Sequence, residues 1–110
     1  MHRVMLPCAI ATLTLAAQFQ ILAQPLESGI ISSGREIAIT ICGTCHEVDH
    51  TMPPTTAVGP EFKDIANQPS TTALSLRVFL RSNHNRMPNF IISQSATDNV
   101  IAYILSLKQK

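Results

Sequence analysis

Cys42, Gly43, Thr44, Cys45 and His46 put two thiols and an imidazole within five consecutive positions. The spacing Cys-x-x-Cys-His is that of c-type haem attachment. Two thiols three positions apart on one helical turn can each add to a vinyl group of the same porphyrin, giving two thioethers. The adjacent imidazole then offers an axial nitrogen to the iron. Two other chemistries share this spacing. A redox disulfide expects a βαβ setting, which this sequence lacks. Tetrahedral zinc needs four ligands, which His46 and His50 would have to complete.

If the iron is held by His46, the sixth position decides what the site does. The candidates are Met52, Met87, His50, His84 and an open or water-filled position. His50 and Met52 follow His46 so closely that both tend to stay on its side of a macrocycle. Met87 lies far downstream, beyond a stretch that can turn the chain round. Pro88 removes a backbone donor and stiffens the loop that would present the sulfur. A lone methionine is usually core filler; in a loop beside proline, Met87 is the favoured ligand, with His84 second.

These residues need elements to hold them, and the periodicity supplies helices. Ser33-Gly34-Arg35-Glu36 fits a capping box, with Ser33 at the N-cap. Gly34, Ile37, Ala38, Ile41, Cys42 and Cys45 then trace one face of a helix over 33–45. The chain from 47 to 60 reads as loop, broken by Pro53, Pro54 and Gly59-Pro60. A short helix over 61–67 turns Phe62, Ile65 and Ala66 inward. A third, capped within 70–72 and running to about 83, buries Ala73, Leu76, Phe79 and Leu80. Its outward arginines, Arg77 and Arg81, read as a solvated stripe or as contacts for a haem propionate or redox partner. After a loop over 84–92, a last helix starts near Ser93 or Ser95 and runs to about Lys108. Thr97, Val100, Ile101, Ile104 and Leu105 form its inner stripe, flanked by Tyr103 and Leu107. Lys108 and Lys110 suit its C-terminal dipole. No strand pattern or repeat is present, so the expectation is one all-α domain.

The ends and the charge bound the function further. A basic start (His2, Arg3), an apolar run over 4–17 and small residues at Ala17 and Ala23 form the layout of a secretory signal. The run falls short of the ~20 residues that span a bilayer. Cleavage is expected after Ala23, with Ala17 as competitor, followed by a loose leader over 24–32 and the domain proper over 33–110. Cys8 would leave with the signal, so both remaining cysteines belong to the motif. Residues 24–110 carry seven basic and seven acidic side chains, a balance that argues against nucleic-acid binding. A domain this small is marginal without a cofactor at its centre.

In order along the chain stand an amphipathic helix, Cys42-Gly43-Thr44-Cys45-His46, Gly59-Pro60-Glu61-Phe62, Met87-Pro88-Asn89-Phe90 and a terminal helix with Ala102-Tyr103-Ile104. In that order they resemble the class I mono-haem cytochromes c, over about residues 30–110. The resemblance implies an all-α fold of three to four helices and loops wrapped around one haem c, attached through Cys42 and Cys45. It implies axial ligation by His46 and Met87, and a Pro60 carbonyl that accepts from His46 Nδ1–H and fixes the ring. It also implies that the first and last helices cross near Gly34 and Tyr103. Two departures stand out: Ile37 replaces an aromatic common in the first helix, and the absence of tryptophan removes a frequent propionate partner.

With both axial positions filled there is no room for substrate, and sulfur ligation favours the reduced iron. The expected role is a one-electron carrier, not an enzyme. It would be monomeric, in a bacterial periplasm, taking electrons from a dehydrogenase or quinol-oxidising complex and passing them to an oxidase or reductase. The alternatives are a subunit dedicated to one dehydrogenase, a peroxidase-like or gas-binding haem protein with an open sixth position, and a secreted zinc module.

Overall fold

The computed structural model describes residues 26–56, 58–82 and 87–109; the expected signal segment, His84 and Arg86 lie outside them. Four helices make up the described chain: α1 over 26–42, α2 Phe62–Asn67, α3 Ala73–Leu80 and α4 Gln94–Ser106. Among the described residues there is no strand; an isolated bridge joins Asp49 and Met52. No described helix is long and apolar enough to cross a membrane. The all-helical expectation is met.

Helix α1 differs from its expected bounds at both ends. It is already helical at residue 26, so residues 26–32 are not a loose leader, and it stops at 42, before Cys45. Ser33 therefore lies inside the helix and caps nothing. Its hydroxyl accepts instead from Asn99 Nδ2 of α4 at 3.2 Å. That bond marks a crossing of the two helices. A Cβ added to Gly34 would sit 1.9 Å from Asn99 O and 3.0 Å from Tyr103 Cβ, so only glycine lets the backbones meet there. Larger residues would force the helices apart.

Helices α3 and α4 are capped by the residues before them, whereas Glu61 makes no side-chain cap for α2. Thr72 accepts from Ser75 N–H (3.1 Å) while Ser75 Oγ accepts from Thr72 N–H (2.9 Å), a reciprocal cap for α3. Ser93 Oγ accepts from Ala96 N–H (3.1 Å) and starts α4. Helix α4 packs against both α2 and α3. Its Val100, Ile101, Tyr103 and Ile104 meet Ala38, Val48, Phe62, Ala66 and Leu76 in one buried core. Tyr103 is thus central, not flanking. Its hydroxyl donates to Val48 O at 2.9 Å, which satisfies both groups away from water.

Helix α3 departs from its expected face. Leu76 is buried and Leu80 half-buried, but Ala73 is exposed and Phe79 is 54% exposed. Arg77 pairs across to α4: its guanidinium meets the Asp98 carboxylate at 2.5 Å, with both side chains still about two-fifths exposed. Arg81 is exposed just beyond the helix. Lys108 lies past the end of α4 and points its ammonium at Thr71 O (3.4 Å).

Candidate functional site

Helix α1 ends on Cys42, and the five-residue motif turns away from it. Gly43 N–H donates to Ala38 O (3.0 Å), and both Cys45 and His46 N–H donate to Cys42 O (3.0 Å each). These bonds terminate the helix and fold the second thiol and the imidazole back towards it. A Cβ on Gly43 would lie 2.4 Å from Ile39 O, so the tight turn needs glycine. Both cysteines are free thiols.

The stretch 44–47 is then strapped to 56–62. Thr56 N–H donates to Thr44 O (3.0 Å), Gly59 N–H to Cys45 O (2.8 Å) and Phe62 N–H to Glu47 O (3.0 Å). Between them, His46 Nδ1 lies 2.7 Å from Pro60 O. A carbonyl only accepts, so Nδ1 carries the proton and Nε2 keeps its lone pair for a metal. Phe62 packs behind the imidazole, centroids 5.4 Å apart and planes tilted 58°, and itself rests on Tyr103 at 6.5 Å. Gly59 lies against the ring: an added Cβ would stand 2.4 Å from Cε1 and 2.6 Å from Nδ1.

A separate apolar cleft is lined by Ile37, Ile41, Cys42, Leu80, Met87, Phe90, Ile92 and Val100. Cys42 and Met87, 45 positions apart in sequence, thus share one wall system. Burial, and then the nearby Cys45, push the Cys42 thiol up to about 11, so it is neutral at ordinary pH. The donor set suits an iron-bearing macrocycle: an apolar cleft lined by Cys42 and Met87, a second thiol at Cys45 in the turn that follows, and an imidazole with a fixed tautomer. Cys42, Cys45, His46 and Met87 are the residues that could hold a haem c here.

The other ligand candidates are engaged elsewhere. His50 is 76% exposed and its Nδ1 sits 3.1 Å from Glu47 Oε1. Met52 is 48% exposed and bridged to Asp49. His84 lies outside the described residues. Among the described residues no three His, Cys, Asp or Glu side chains gather as metal donors, so the zinc alternative has no ligand set there.

The loop between His46 and the prolines is pinned by charge. The Arg35 guanidinium meets the Asp49 carboxylate, which also accepts from Thr51 N–H (2.8 Å) and Thr51 Oγ1 (2.5 Å). The Thr51 bonds first, and Arg35 after them, hold the Asp49 carboxyl below the usual carboxylate range against the opposing effect of burial. Burial, and then the Asp49 charge, push the Tyr103 phenol up.

Three supporting residues escape a reading of the sequence. Gly59 reads there as a loop breaker; its contact with the imidazole appears only when 46 and 59 are brought together. Thr56 carries no sequence signal for its place beside Cys45. Asp98, the partner of Arg77, lies on a different helix.

No family model matches the chain, and no solved structure matches it. The chain is similar to cytochrome c-552 of Bradyrhizobium diazoefficiens, with 32% identity over 75 residues, 68% of this chain and 72% of that relative.

Proposed function

The chain belongs to the small c-type cytochromes and is an electron-transfer protein of the cytochrome c fold, not an enzyme; from this we propose that it carries a single haem c joined to Cys42 and Cys45 and ligated by His46 and Met87. The bound iron supplies one-electron chemistry, alternating between ferrous and ferric. The residues around it do the rest. Pro60 O and Gly59 keep His46 Nε2 aimed and its ring from rotating, and Phe62 backs the ring. Ile37, Ile41, Leu80 and Val100 exclude water, and Met87 offers a soft donor that favours the reduced state. Rigid walls of this kind limit the rearrangement that accompanies each transfer.

The carrier is exported to a bacterial periplasm after losing residues 1–23. It takes electrons from a dehydrogenase or quinol-oxidising complex and delivers them to an oxidase or reductase as a monomer. One observation carries the ligand assignment: Met87 and Cys42 line the same apolar cleft, while Met52 and His50 face solvent. Absorption spectroscopy of the ferric protein tests it. The iron–thioether charge-transfer band in the far red should vanish in Met87→Ala and persist in Met52→Ala. A five-coordinate, high-spin wild-type spectrum with rapid cyanide binding would overturn the assignment.

A second reading, a subunit held by one dehydrogenase, has an observation in its favour. Leu74, Val78 and Phe79 on α3 are all more than half exposed, an apolar grouping that suits a permanent partner. Purification from the native source separates the two, since a free carrier elutes alone.

A further inference from the structure

The two thiols are not held alike. Cys42 ends a helix and lies in the apolar cleft, with packed walls around it. Cys45 lies in the following turn, outside that lining, and its sulfur is met by the Thr56 hydroxyl. The Thr56 hydroxyl is 2.9 Å from Thr44 O and 3.7 Å from Cys45 Sγ. A hydroxyl has one proton and two lone pairs. Either it donates to the sulfur, or it gives its proton to Thr44 O and accepts the Cys45 S–H. Both arrangements hold the sulfur in the same place.

Thr56 is itself tied down at two points, since its amide donates to the same Thr44 carbonyl (3.0 Å). Its branched Cβ further limits rotation. We propose that Thr56 is a positioning residue for Cys45, setting the sulfur's orientation so that the second thioether forms. The inference rests on the reading that Cys45 carries haem. In that bond formation the S–H adds across a vinyl C=C: a C–S bond forms at one carbon, the thiol proton ends on the other, and no electron is gained or lost.

The test uses the full chain produced with haem-attachment machinery, as wild type, Thr56→Val and Thr56→Ser. Each purified protein is denatured and alkylated, and the labelled cysteine is located by peptide mass. The α-band in alkaline pyridine reports any vinyl group left intact. Thr56→Val should raise the ratio of singly to doubly attached chains about fivefold, the population ratio one net hydrogen bond governs. Label should fall on Cys45 and not Cys42, and Thr56→Ser should behave as wild type. If Thr56→Val does not accumulate, Thr56→Ala, which also lacks the hydroxyl, decides by the same label. Equal attachment without the hydroxyl, or label spread evenly over both cysteines, overturns this inference alone. A wild-type chain with no thioether at Cys45 overturns the haem reading, and this inference with it.

Discussion

The two sides of the candidate site present different contacts to what they would hold. On the imidazole side, 44–47 and 56–62 are joined by three backbone hydrogen bonds and the bond from His46 Nδ1 to Pro60. On the thioether side, Met87 belongs to a segment whose described neighbours, Phe90 and Ile92, meet the rest of the molecule as apolar lining. Phe90 and Ile91 there are exposed. Hydrogen bonds fix direction as well as distance, whereas apolar contact is non-directional. The imidazole is therefore fixed in orientation by its own hydrogen bond, while the Met87 side chain meets apolar cleft walls.

That contrast can be broken most sharply at Gly59. Gly59→Ala puts a methyl 2.4 Å from His46 Cε1, and the ring cannot yield without losing Pro60. We expect a loss of ~3 kcal/mol in chemical denaturation, together with a shift of the Soret band as the axial bond weakens. Met87→Ala comes next: the reduction potential should fall with loss of the sulfur donor, and the denaturation midpoint should move less than in Gly59→Ala. Equal losses in the two variants would erase the distinction drawn here. Tyr103→Phe leaves Val48 O without its donor and should cost about 1–2 kcal/mol, with the haem spectrum unchanged.

The smallest effect is set by pH. The folded pKa of Asp49 is depressed, so its contribution is present above the unfolded value of about 3.9 and is lost as pH falls through the folded one. Acid titration of stability should therefore steepen below about pH 4, and Asp49→Asn should flatten that limb. The partner Arg35 is part-exposed, so the change is held to ~1 kcal/mol at most.

Much of the site is local in sequence and could be read there. The motif is contiguous, Gly59-Pro60 and Met87-Pro88 are adjacent pairs, and the buried stripe of α4 repeats at helical spacing. Features that depend on distant partners could not be read. Ser33 with Glu36 looks like a helix start because the pattern contains no hint of Asn99, which takes the serine for itself. Phe79 falls on a plausible inward phase of α3 yet faces out, because Leu76 and Leu80 fill the available contact with α4 and the cleft. Arg77 shows no partner in the pattern until Asp98 is brought beside it. The sequence-level expectations fail where a neighbour 21 or 66 positions away competes for the same side chain.

The short span of the strap bears on how the chain assembles. His46 and Pro60 are 14 residues apart, whereas Ser33 and Asn99, which join the helix crossing, are 66 apart. Closing the longer loop costs an extra ~1.4 kcal/mol in chain entropy. The strap can thus form while the terminal helices are still undocked. The turn that carries Cys42, Cys45 and His46 would then reach near-final shape before the rest of the protein closes over it.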